Sequence, residues 1–190
     1  MGKVCACTPL SPPPNPHKHR VIIAKVMLLG AVAPMKFSNG VWFDGKIGIW
    51  PIVNTKVAQR TSKHRPKGTN VLVPAMVGGE RYKKLIIEEV TPATKACIPR
   101  PEGHTIFVQQ DWAILHTKVG IMEAMEEAAG GDIVIETQLT NSSDINFVDL
   151  GSFHSIHQLK GDVGVTNTQE LVEATTEAFY VYPRETLERI

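Results

Sequence analysis

The sequence predicts an α/β fold, a mixed sheet with helices on its faces. Three observations carry this. Apolar, β-branched runs at residues 20–33, 46–53, 105–110 and 132–136 read as strands. In the second half they alternate with segments of helical period, the pattern of α/β proteins. The 190 residues, 43% hydrophobic and 21% charged, amount to one domain able to bury a core without disulfide or metal staples. The 20 basic and 19 acidic residues leave a net charge of +1, so any nucleic-acid contact needs a local basic patch.

In chain order, residues 1–19 hold Pro9, Pro12, Pro13, Pro14 and Pro16. Proline removes backbone donors and restricts its predecessor, so a disordered, extended tail is expected before a domain over 20–190. The pairs Cys5/Cys7 and His17/His19 have one residue between them, which matches no usual zinc spacing. Three cysteines fit a reducing compartment. Residues 20–33 are too continuously apolar for a surface helix and read as a buried strand. Lys25 interrupts the run, which is too short to span a membrane. A hairpin through Ser38-Asn39-Gly40 and Asp44-Gly45 leads to the strand 46–53, where Pro51 implies an edge or an early end.

Residues 54–69 lack apolar periodicity and read as a loop. Lys56, Arg60, Lys63, Arg65 and Lys67 make it a candidate phosphate-binding segment, against the alternative of a solvated loop. A third strand is expected near 71–77. A helix over 80–90 follows, with Tyr82, Leu85, Ile86 and Val90 on one face and Pro92 ending or kinking it. After the strand 105–110 comes a helix over 118–129, with Val119, Met122 and Met125 inward and Glu123, Glu126 and Glu127 outward, stopped by Gly130-Gly131. Beyond the strand 132–136, a helix is expected over 146–159. Asn167 and Glu170 then form a capping pair opening a helix that turns Leu171, Thr175, Ala178, Phe179 and Tyr182 to one side.

Two carboxylates stand out by placement. Asp111 follows a predicted buried strand, at the sheet edge where α/β proteins gather ligands. Asp149 lies between Val148 and Leu150 in a predicted helix, where it would need a partner, a hydrogen bond or a metal. Converging carboxylates suit a hard divalent cation such as Mg²⁺; helix capping or solvent exposure is the plainer alternative. Cys97 has no activating neighbour in sequence, and His154 and His157 read as a surface pair.

These residues also carry a resemblance. Gln109-Gln110-Asp111 with His116 resembles the Gln-Gln-Asp-Asn-x-x-x-His motif of mariner-type transposases. Residues 141–149, Asn-Ser-Ser-Asp-Ile-Asn-Phe-Val-Asp, resemble that family's Ser-Pro-Asp-Leu-Asn-x-x-Asp/Glu motif, and 37 residues separate Asp111 from Asp149. Residues 43–51 and 58–69 resemble one branch of these elements, so the likeness spans about 17–190. It implies an RNase H-like fold. It also implies a triad of acids holding two Mg²⁺ or Mn²⁺ ions for in-line attack on a DNA phosphodiester. Asp111 and Asp149 would be the second and third acids and metal ligands, with His116 a neighbour of the site.

The sequence departs from that pattern. No segment matches the family's first acid, and no Asp or Glu precedes Asp44. Trp112 stands where the family has Asn, Ser143 where it has Pro, and nothing matches its helix-turn-helix module. The expectation is therefore a truncated RNase H-like domain, incomplete at the first strand and inactive alone. Its bared sheet edge would favour homo-oligomers, and its family points to DNA as partner and the nucleus as location, with no membrane contact. Two alternatives stand beside this one: a nuclease completed by Asp44 or a partner chain, and a non-enzymatic nucleic-acid-binding module using the basic segment.

Overall fold

The computed structural model describes residues 2–4, 8–10, 25–38, 40–62, 65–99, 103–110, 120–137 and 165–183. Nine strands are present among them: β1 (Gly2–Val4), β2 (Thr8–Leu10), β3 (Val26–Val32), β4 (Lys36–Ser38), β5 (Val41–Phe43), β6 (Lys46–Val57), β7 (Asn70–Pro74), β8 (Ile106–Gln110) and β9 (Ile133–Thr137). The main sheet has the order β7-β6-β3-β1-β8-β9, with β2 also on β3, while β4 and β5 form a separate hairpin. Strands β1, β3, β6 and β7 pair antiparallel in succession; β8 is parallel to β1, and β9 to β8. This is the mixed sheet expected of the RNase H-like class.

Strand β3 explains its own composition. Leu29 and Ala31 enter a core with Tyr82, Ile86 and Val90, while Val26, Leu28 and Val32 enter a second with Leu171, Phe179 and Tyr182. Helices cover both faces, so the run cannot alternate apolar with polar. On the first face lie α1 (Gly79–Leu85), a π-helical turn (Ile86–Val90), α2 (Thr91–Cys97) and α3 (Ile121–Ala128); on the second lies α4 (Thr168–Val181). Where β3 meets the start of β6, Val32 pairs with Lys46 and Ala31 with Gly48, so Ile47 is the extra residue of a β-bulge.

Several expectations change. The tail predicted over residues 1–19 gives way to strands at Gly2–Val4 and Thr8–Leu10, ahead of the main proline cluster. Pro9 is tolerated because β2 pairs with β3 alone among the described strands. The sheet is not incomplete at its first strand: β1 lies between β3 and β8 and pairs with both. The edge expected to be bared for self-association is thereby filled. Among the described strands the outer positions belong to β7 and β9.

Pro92 does not end its helix. The π-helical turn just before it loosens the backbone hydrogen bonding that a proline would otherwise break, and Pro92 occupies the first turn of α2, where it needs no donor. Pro51 neither ends β6 nor lies on an outer strand. It pairs with Leu28, in the part of β6 that β7 does not reach, since the β7 pairing starts at Val53. Glu126, expected to face solvent, accepts a hydrogen bond from the Ile135 backbone N–H at 3.1 Å and so ties α3 to β9. The side chains of Val119 and Met125 lie outside what is described, as does the predicted helix over 146–159.

The final helix forms as its sequence dictates. The Asn167 side chain accepts from the Glu170 N–H at 3.0 Å, and the Glu170 carboxylate accepts from the Thr166 N–H and hydroxyl, both at 2.7 Å. Its other end is met by Lys46, whose ammonium donates to the Tyr180 carbonyl at 2.7 Å and lies 3.6 Å from Asp44. A cation at a helix C-terminus is favourably placed against the helix dipole.

Candidate nucleic-acid interface and strand end

Strand β8 ends at Gln110, the residue before Asp111, and this end is firmly held. Gln110 is 2% exposed, and its side-chain oxygen accepts from the Tyr82 hydroxyl at 2.9 Å. Tyr82 is itself 1% exposed on α1. A buried hydrogen bond thus joins the helix layer to the last residue of the strand. The sequence shows Tyr82 only as a core-facing residue; the signal for its polar role is Gln110 at the end of the strand, since a buried amide needs partners.

Beside this strand end runs β1, with Gly2 opposite Val108 and Lys3 opposite Gln109. Advancing one residue on each strand reaches Val4 and Gln110; the next residues in sequence are Cys5 and Asp111. The strand in the first position therefore supplies Gly2, Lys3 and Val4, with no oxygen-bearing side chain. Asp111, His116 and Asp149, together with Asp144, His154 and His157, lie outside the described residues. Among the described residues no three His, Cys, Asp or Glu side chains converge as a metal site. Among the described residues, β1 carries Lys3 and neither Asp nor Glu.

Asp44 does not fill the gap. It precedes β6, which is separated from β8 by β3 and β1. Three strand spacings of about 4.8 Å make this roughly 14 Å across the sheet. Its carboxylate is also engaged locally, accepting from the Lys46 N–H at 3.1 Å. Nearby, Cys97 is half-buried, and its thiol is pushed above its ordinary value first by burial and then by the negative charge of Asp44, the opposite of an activated nucleophile.

The basic segment is better ordered than a loop. Residues 54–57, read as loop, are the end of β6, paired with Asn70–Val73 of β7. Lys56, Arg60 and Lys67 are exposed and Arg65 is half-buried, while Lys63 lies outside the described residues. The tip is cross-tied: Ala58 N–H donates to Thr69 O at 2.9 Å, Gly68 N–H to Ala58 O at 2.9 Å, and Ser62 and Arg65 exchange backbone hydrogen bonds at 2.7 and 3.2 Å. At its root, Arg81 of α1 donates to the Asn54 side chain at 2.7 Å and to the Val53 carbonyl.

No protein family matches the chain by sequence, and no curated protein does. Its structure is similar to the crystal structure of the catalytic domain of Mos1 mariner transposase. The TM-score is 0.62, with 16% identity, over 98% of this chain and 74% of that one. The likeness is one of fold, a mixed α/β, RNase H-like sheet flanked by helices. No helix among the described residues is long and apolar enough to cross a membrane.

Proposed function

We propose that this protein is a transposase-type RNase H-like domain that engages DNA without cutting it. One observation carries the reading: the strand in the first position, where the resembling family has its first acid, presents Gly2, Lys3 and Val4. In-line phosphoryl transfer by two metals needs enough carboxylates to hold both ions and offset their charge. Asp111 and Asp149 remain as ligands for a single weakly held Mg²⁺ or Mn²⁺. A partner chain is one source of a third acid; the strand order carries Asp44 away from the end of β8.

The test is a supercoiled-plasmid assay with Mg²⁺ or Mn²⁺, run beside a duplex-binding assay on the same preparation. Binding without metal-dependent nicking is expected. Nicking that Asp111→Ala abolishes would overturn the proposal, as would failure of the chain to bind DNA at all.

A further inference from the structure

We infer that the β6–β7 ribbon is a duplex-DNA-binding arm that enters the major groove; this rests on the DNA-engaging function proposed above. The pairing of β6 with β3 stops at Ile52–Met27, yet β6 continues with β7 as its only partner through Val57–Asn70. Past the Arg81–Asn54 anchor, Thr55, Lys56 and Val57 of β6 are all exposed, while their β7 neighbours Val71 and Leu72 are half-buried. Three residues add about 10 Å of ribbon before the tip.

Charge selects the partner. No Asp or Glu occurs between Asp44 and Glu80, whereas Lys56, Arg60, Lys63, Arg65 and Lys67 fall in the ribbon and its tip. Five of the chain's 20 basic residues thus fall in one acid-free segment, four of them within the described residues. Phosphate neutralisation is the chemistry such an arm offers.

Shape selects the groove. The major groove of B-DNA, about 12 Å wide, admits a two-stranded ribbon as it stands, whereas the minor groove, about 6 Å wide, takes one only when the duplex is widened and bent. The tip is held in shape by its own bonds, including Lys67 N–H to the Thr61 hydroxyl at 3.1 Å and the Thr69 hydroxyl to Pro66 O at 2.9 Å. Lys56, Arg60 and Lys67 are thus presented from a prefolded element, and little ordering entropy is lost on binding.

The experiment compares the full chain with its Lys56→Ala/Arg60→Ala/Lys67→Ala variant by fluorescence anisotropy on a labelled duplex across a salt series. A matched duplex whose major groove is filled by glucosylated hydroxymethylcytosine is titrated in parallel. These side chains are exposed, so the variant should melt as the wild type does. Each lost phosphate contact lowers the slope of log K against log[salt] by about 0.9, so the variant's slope should fall by roughly 2–3. Its affinity should drop at least about tenfold at moderate salt, and glucosylation should weaken the wild type. An unchanged slope, or indifference to glucosylation, overturns the arm while leaving DNA binding in place. No wild-type binding to any duplex overturns the underlying function as well.

Discussion

At the scale of single residues, two side chains decide how firmly the strand end and the last helix are held. The Tyr82 hydroxyl donates to Gln110 inside the core, where water cannot substitute. Tyr82→Phe keeps the ring and removes the donor, so it should cost about 1–3 kcal/mol of stability, measured by urea unfolding at constant m-value. Glu170 gives a second, pH-dependent case. Hydrogen bonds from the Thr166 side chain and backbone outweigh the small effect of burial and hold its pKa below the ordinary 4.5. A carboxylate depressed on folding stabilises the protein fully above its unfolded value, and that stability is lost as pH falls through the folded value. Wild type should therefore unfold at higher temperature than Glu170→Gln at neutral pH, with the gap closing as pH drops below 4.5. A gap of constant size across that range would refute the role given to the Glu170 charge.

At the scale of elements, β1 is where sequence and structure part most sharply. Gly2-Lys3-Val4 is too short to show any periodicity, and the prolines that follow dominate a composition-based reading. What makes it a strand is tertiary: β3 and β8 leave a gap between them, and pairing satisfies backbone groups on both sides. Lys3 pairs with Val32 on one side and Gln109 on the other, so Lys3→Pro should cost about 3 kcal/mol or more. In a free tail the same change would cost nothing. Denaturant unfolding separates the two, with amide-exchange protection at Lys3 and Val4 as a second readout. Elsewhere local signals sufficed. Leu171, Thr175, Phe179 and Tyr182 repeat at helical spacing behind an Asn167 cap, and all four are buried. The ribbon escaped notice because Asn54, Thr55 and Lys56 bury nothing, and hydrophobic period is blind to a hairpin that projects into solvent.

At the scale of the whole molecule, the sheet order turns a missing acid into a definite place in the fold. The resemblance around Asp111 rests on a few adjacent residues, Gln109, Gln110 and Asp111 with His116. The first strand was not legible in the sequence, because its identity comes from its neighbours β3 and β8, more than twenty and more than a hundred residues away in sequence. Register then names the position to alter. Lys3 lies opposite Gln109; two residues further along the sequence from each come Cys5 and Asp111, both outside the described residues. If an acid-free first strand accounts for the proposed lack of cleavage, Cys5→Asp supplies a carboxylate next to it in sequence. Hard divalent cations bind more tightly as the number of charged oxygen ligands rises. Calorimetric titration of Mn²⁺ should then show affinity raised about tenfold or more over the wild type, an increment of about 1.4 kcal/mol. The isosteric Cys5→Asn should not match it, and Asp111→Ala in the Cys5→Asp background should remove the gain. Equal affinity in Cys5→Asp and the wild type would separate β1 from the metal site, and the proposed reason for inactivity would have to be sought elsewhere than in the first strand.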